Sequence, residues 1–391
     1  MRYLTTLVLM FALATFGGVS FSTPSEAATQ AQLNAYKRDL AAYRAARAQF
    51  ASKEKAYWAE ISRKKQIRAD RRRAGKSIKR KHYVLSQPPK YAGPKRPRHP
   101  DPGPIVKKKR KPSTLPNAKK LRASIKDLYG FNPQGSAERD FKKAYAREAK
   151  LYGISAEQVI GVYALETGGK GPFDLVSGEA IQRNKKCKLV KRGGRPLSTA
   201  LGYFQLLNAN TSSTVAVNAR GPKEKRFANR LRAQAAREDG KRRKELRAKA
   251  DLMDRVVKDM KKAISRIGGK KNNWSEYRKL GKTKLGYAVH ALNLDVDIGP
   301  MIQMAKLAVV RDYARKKGLR NLSSDRLELM NLVGYPRGAL MLEAVGLDVP
   351  TANFVKANEI AANYRVLGDK TVEGSIAKIR RVIDLRKKEC G

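Results

Sequence analysis

Nine of the seventeen prolines fall between residues 87 and 116. A stretch of that composition lacks backbone donors, holds φ near one value and cannot build a core. It also carries the run Lys107-Lys108-Lys109-Arg110-Lys111, which no apolar interior would accept. The chain is therefore divided. Residues 87–125 are expected to run as an extended, semi-rigid linker, and the parts on either side must find their own packing.

Residues 1–27 have the three-part pattern of a secretory signal peptide. Arg2 is the charged start, residues 4–16 are almost wholly apolar, and Gly17-Gly18 break the run. Ser25-Glu26-Ala27 then places small residues at the two positions that a cleavage site requires. The mature chain is expected to be exported, either periplasmic or secreted. No cysteine adjoins the cleavage point, which argues against a lipoprotein. No later run reaches the roughly 18 apolar residues that a membrane span needs.

The first mature segment, 29–86, reads as a basic amphipathic helical arm. Leu33, Leu40, Arg47, Glu54 and Ile61 recur every seven residues, and Tyr36, Tyr43, Phe50 and Tyr57 interleave with them at the same spacing. This is a heptad stripe, expected to pack on its own chain or on a second copy through the 33–61 helix. Residues 63–81 read as too charged to bury anything.

Charge narrows the partners. The chain holds 85 Lys and Arg against 34 Asp and Glu, a net charge of +51, with +24 in residues 29–125 and +27 beyond them. Such an excess calls for a polyanion: nucleic acid, anionic lipid or an acidic envelope polymer. Export disfavours nucleic acid. So does the placement of Tyr36, Tyr43 and Tyr57 on the inner seam, where they cannot stack bases.

From residue 126 to 391 the apolar density rises and the pattern is mostly α. Ile154, Val159, Ile160, Val162, Tyr163 and Leu165 mark a buried helix, with Ser155 and Gln158 spaced as a capping box and Gly168-Gly169 as its stop. Further helices are expected near 300–316, 325–332, 338–345, 353–363 and 374–388, and no strands. Residues 217–284 differ from their surroundings. They are very basic, with Met253, Val256, Val257, Met260 and Ile264 on one helical stripe, and they read as an inserted helical hairpin.

Glu166 is the first residue with chemical promise. It ends the apolar helix, on the face of Val159, Val162 and Tyr163. The helix dipole and the loss of solvation both disfavour the anion there. The carboxyl is therefore expected to stay protonated near neutral pH, as protonation of a glycosidic leaving group requires. The alternative is a glutamate that simply reaches solvent. A second segment, Gly202-Tyr203-Phe204-Gln205, sets a glycine and an amide in an apolar run. The glycine would let backbone approach a ligand, and the amide would suit sugar hydroxyl or acetamido groups; the alternative is a buried turn with a capped polar group.

Together these residues resemble the lytic transglycosylases, a branch of the lysozyme-like superfamily. In that family a helix ending Glu-Ser or Glu-Thr is followed by a Gly-Leu-Met-Gln-like motif and then by an Ala-Tyr-Asn-like motif on a later helix. Glu166-Thr167 and Gly202-Tyr203-Phe204-Gln205 match the first two. Leu329-Met330-Asn331 followed by Gly334-Tyr335-Pro336 is a degraded third. Residues 295–307 resemble the family helix that packs behind the site, and the likeness covers about residues 130–365.

The resemblance implies a lysozyme-like α domain and cleavage of the MurNAc–GlcNAc bond of peptidoglycan. Glu166 would be the single acid/base, with Thr167, Gly202, Tyr203, Gln205, Asn331 and Tyr335 as substrate-binding residues. The substrate's own 6-hydroxyl would be the nucleophile, giving 1,6-anhydro-muramyl products. Glycan strands would be the main partner, with anionic envelope polymers held by the basic arm.

A hydrolase of this class would need a second carboxylate. The nearest acids, Asp174 and Glu179, sit in a glycine-rich loop without a recognisable motif. Cofactor chemistry finds no support in the sequence: His82, His99 and His290 are isolated, no metal-ligand spacing exists, and no phosphate loop follows a strand. Cys187 and Cys390 could pair or stay apart. The alternative to an enzyme is an inactive lysozyme-fold envelope protein that binds peptidoglycan or anionic polymers.

Overall fold

The computed structural model describes residues 28–101, 115–135, 138–167, 179–183, 189–193, 199–266, 274–368 and 370–389. The chain divides into two compact units, the first within residues 1–54 and 90–109 and the second holding the rest. The long helix α1 (Gln30–Arg73) contributes its first half to one and its second half to the other.

In the first unit the heptad stripe is covered by the chain's own proline-rich segment. Tyr91 lies edge-on to Tyr43 and Phe50 at 6.3 and 5.5 Å, with the Arg47 guanidinium 4.7 Å from its ring. His99 meets Tyr36 at 4.7 Å. Residues 90–101 thus run antiparallel to the helix without regular secondary structure of their own. Part of the expected linker is a cover for the helix.

The second unit corrects the expected boundaries. Its first residues, 55–89, are not a free arm. Ile61, Tyr83 and Val84 are buried, and so is Arg68 at 3 % exposure, inside the run expected to bury nothing. Arg68 donates to the carbonyls of His82 at 2.7 Å and Asn353 at 2.9 Å, and its guanidinium stands 4.3 Å from the Tyr83 ring. Asn353 in turn exchanges two hydrogen bonds with the Val84 backbone, at 2.8 and 2.9 Å. A buried cation with these partners is satisfied. The helical body then starts at α2 (Ala118–Tyr129), inside the expected linker, with Leu121 and Ile125 fully buried and Asn117 capping it.

There follow α3 (Glu138–Tyr152), α4 (Ala156–Thr167), strands β1 (Glu179–Arg183) and β2 (Leu189–Gly193), α5 (Asn208–Asn218), α6 (Phe227–Ala235), α7 (Gly240–Arg266), α8 (Trp274–Leu280), α9 (Lys284–Ala291), α10 (Ile298–Lys316), α11 (Ser324–Val333), α12 (Tyr335–Met341), α13 (Ala357–Ala362), α14 (Tyr364–Leu367) and α15 (Val372–Glu389). The fold is mostly α, as the periodicity implies.

Three local differences stand out. The two strands pair antiparallel, with Glu179 opposite Gly193 and Arg183 opposite Leu189, where no strand is expected. The helix expected at 353–363 is shorter and starts only at Ala357, because Lys356 at φ −75° and ψ 157° is extended; Asn363 then ends it before α14. The helix expected at 338–345 starts earlier, at Tyr335, with proline in its first turn, a position proline favours.

Two apolar cores meet on α10, which has thirteen buried residues out of nineteen. Met304, Leu307 and Val310 face one core with α3, α4, α11 and α15. Ile298, Met301 and Ile302 face the other with α2, α5, α7 and α9. The basic insertion is the α6–α7 hairpin with α8. Leu246, Met253, Val256 and Met260 anchor it in the second core. Buried ions add to the anchor: Arg230 pairs with Glu148 of α3, and Lys249 meets Asp295 and Asp297 at 2.9 and 2.6 Å. Among the described residues no helix is long and apolar enough to cross a membrane.

Arg68→Ala removes the donor to the buried Asn353 carbonyl and the donor to the part-buried His82 carbonyl. A loss of about 2–4 kcal/mol is expected in denaturant unfolding, against about 0.5 kcal/mol or less for Lys65→Ala on the exposed face of the same helix.

Candidate active site

Helix α4 is held at its start as its sequence implies. Ser155 Oγ accepts from the Gln158 amide at 3.2 Å, and Gln158 Oε1 accepts from the Ser155 amide at 3.1 Å. Gly161 then lets α11 approach closely, since a Cβ there would stand 2.4 Å from the Cβ of Ser324. Glu157 Oε1 accepts from Ser324 Oγ at 2.9 Å just before that crossing. One turn further along both helices, Glu166 and Glu328 come together.

Glu328 is fully buried, and its carboxyl is hydrogen-bonded to that of half-buried Glu166. Asn331 Nδ2 reaches Glu328 Oε2 at 3.4 Å, while Oε1 meets no N–H donor among the described residues. Two carboxyls in contact, with so few donors, hold a proton between them. Burial pushes the Glu166 carboxyl up to about 7, against the lowering pull of its hydrogen bond to Glu328 and of the Arg386 charge. Burial, and then the charge of Glu166, push Glu328 well above the usual carboxylate range. The α4 dipole contributes less than its position suggests, because Arg386 of α15 donates to the Ala164 and Leu165 carbonyls at the helix end.

Lys306 of α10 is a cation whose charge acts on Glu328. Burial lowers its ammonium to about 8, against the opposing charge of Glu328. It lies 5.5 Å from the ring of Tyr335, which packs on Tyr313 at 4.9 Å. Asn331 and Tyr335, taken from the degraded third motif, therefore belong to the surroundings of the carboxyl pair.

The Gly202–Gln205 motif forms a tight loop closed by two hydrogen bonds between Leu201 and Leu206, both 3.0 Å. Gly202 has φ +79°, and a Cβ there would stand 2.1 Å from Gln303 Nε2. Gln205 has φ +44°, a conformation that is strained for a side chain of this size. Buried Gln303 holds the loop from α10: its Oε1 accepts from the Phe204 amide at 3.1 Å and from Tyr145 Oη at 2.5 Å, and its Nε2 donates to Asn293 at 3.1 Å. Tyr203 is 2 % exposed and packs on Phe141, Tyr145 and Tyr163 at 5.4–5.7 Å. Its contribution is packing against α4, whereas half-buried Gln205 turns back on the loop, its Nε2 donating to the Gly202 carbonyl at 3.0 Å, the arrangement of a turn that caps its own polar group. A groove of about 790 Å³ borders this region, lined by Tyr163, Ala164, Tyr203, Phe204 and Arg386 but not by either carboxyl of the pair.

The loop's entry is fixed by His290, which is fully buried. Its Nε2 donates to the Thr199 carbonyl at 2.6 Å, which leaves Nδ1 to accept from Thr211 at 2.9 Å. Burial lowers the imidazole to about 4.

Asp174, Cys187 and Cys390, together with the side chains of Thr167 and Glu179, lie outside the described residues. Among the described residues no cluster of His, Cys, Asp or Glu is placed to hold a metal ion. Sequence reasoning missed Glu328 and Lys306. The signal was present in Leu327-Glu328-Leu329-Met330, a lone acid inside an apolar helix, as Glu166 is. Comparison with protein-family models, curated proteins and solved structures finds no match.

The His290 shift has a definite sign. Between the unfolded value of 6.5 and the folded value of about 4, the unfolded chain binds a proton and the folded chain does not. The contribution is therefore full above that window and lost as pH falls through it. The carboxyl pair has the opposite sign, since its raised folded values make its contribution fall as pH rises through neutral. In a comparison with His290→Gln the pair is common to both proteins and cancels. The stability advantage of the parent over the variant is expected to shrink by about 2 kcal/mol between roughly pH 7 and pH 4.5, measured by denaturant unfolding. An advantage that does not change with pH would contradict a neutral buried imidazole.

Proposed function

We propose that the chain is an exported enzyme of the lytic-transglycosylase kind, with a lysozyme-like helical domain, which cleaves the MurNAc–GlcNAc bond of peptidoglycan. The observation that carries this reading is the Glu166 carboxyl, half-buried at a helix end and raised to about 7. A carboxyl poised near neutral pH serves both as acid and as base. Glu166 protonates the leaving oxygen as the glycosidic bond breaks. The resulting carboxylate then takes the proton of the 6-hydroxyl as that oxygen closes on the anomeric carbon. The two steps return the proton to Glu166 and release the 1,6-anhydro sugar.

Contact between Glu166 and Glu328 favours this route over hydrolysis. Glycosidases that use two carboxyls hold them about 5–5.5 Å apart in retaining enzymes and about 6.5–9.5 Å apart in inverting ones, with the sugar between them. A hydrogen-bonded pair leaves no such space, and Glu328 is sealed from solvent. The 6-hydroxyl is already held by the bound sugar, so no water need be recruited.

With its Nε2 bonded to the Gly202 carbonyl, Gln205 would meet the glycan through its Oε1. The cations of the first half of α1 and of the insertion suit retention on phosphate- and carboxylate-bearing envelope polymers. The inactive binding-protein reading gains from the degraded third motif but leaves the raised Glu166 without a role.

Glu166→Gln keeps the shape and removes the proton. Turnover of purified sacculi is expected to fall by about 10²–10⁴, with the thermal midpoint kept or raised, because a raised buried carboxyl is lost with it. A folded variant with near-parental turnover would overturn the assignment.

A further inference from the structure

We infer that Glu328 is the proton-sharing partner of Glu166 and that Lys306 balances the charge of the pair, both acting as positioning residues behind the reacting group. The inference rests on the reading of Glu166 as acid/base. Glu328 is wholly buried on α11, one turn past the point where Gly161 brings α4 and α11 together. Its Oε1 has no hydrogen-bond partner among the described residues, and the Glu166 carboxyl is the group whose charge and contact act on Glu328 from α4. A buried acceptor in that state needs a proton on one of the two acids. The resting pair therefore carries one proton and one negative charge.

The groups that face this charge come from every helix packed on α11. α4 supplies Glu166, α10 supplies Lys306, α12 supplies the Tyr335 ring beside Lys306, and α15 supplies Arg386. Arg380, also on α15, is committed to Asp325 at 2.6 Å. Asn331 is the remaining polar contact.

This arrangement does two things for a group that must act twice. Before reaction, burial and the one negative charge left on the pair raise its affinity for the shared proton, so that a proton stays available to Glu166 near neutral pH. When that proton passes to the leaving oxygen, both carboxyls are briefly anionic, and the Lys306 ammonium faces the doubled charge. The 6-hydroxyl proton then restores the single-proton state. No proton enters or leaves the protein over the cycle, and no oxidant or further reactant is needed.

The test uses the mature protein and two readouts. Infrared titration of the carboxylic C=O stretch in substrate-free protein follows the last protonated carboxyl near neutral pH, where ordinary carboxylates are ionised. The pH dependence of sacculus turnover follows the same group through its alkaline limb. Glu328→Gln, which keeps the shape, is expected to move both acidward by about one unit or more. Lys306→Met is expected to move both in the alkaline direction. A purely structural role would lower stability or turnover without moving either titration.

An infrared titration unmoved by Glu328→Gln would overturn the pairing, even if the parent turns over sacculi. An unmoved or acidward result with Lys306→Met would overturn the role of Lys306. If the infrared shifts occur but the parent releases nothing from sacculi, the glycan reading fails and the proton-sharing pair stands.

Discussion

Burial of α10 on both flanks is the constraint on which the rest of the structure depends. One side of the helix closes the core built on α3, α4, α11 and α15, and the other closes the core built on α2, α5, α7 and α9. Two polar residues on it, Gln303 and Lys306, are three apart and share a face. The first holds the Gly202–Gln205 loop and the second faces the carboxyl pair. The relative placement of loop and acid is thereby fixed by a rigid element, as a site that relies on orientation requires.

The site opposes folding in the way functional sites do. Two carboxyls are kept in contact, one of them wholly out of water, a half-buried lysine acts on the pair, and Gln205 is held at positive φ. None of these is the arrangement that stability alone would select. The surrounding apolar packing sustains them, with Leu327, Leu329 and Met330 fully buried around Glu328. On the proposed reading their strain has a use, namely holding a proton at neutral pH.

Much of the helical part was legible because its signals are local. The Ser155–Gln158 capping box, the apolar stripe of α7 and the lone acid at the end of α4 each depend on neighbours within a few residues. What escaped depends on distant partners. Arg68 is buried only because Asn353, 285 residues away, accepts its hydrogen bond, and composition alone reads its segment as solvated. The heptad stripe gave the helix and its inner face, but not that Tyr91 and His99 would cover it. Glu328 carries the same mark as Glu166, an acid among apolar neighbours on a helix. Only the crossing at Gly161 and Ser324 sets the two side by side, and spacing along the chain does not reveal that crossing.

The central claim is that one carboxyl acts twice, with the sugar supplying its own nucleophile. Mass spectrometry of the fragments released from purified sacculi by the mature protein tests it most directly. Muramyl ends lighter by one water than the hydrolytic product, carrying the 1,6-anhydro ring, are the expected result. Reducing muramyl ends, formed by attack of water, would contradict it.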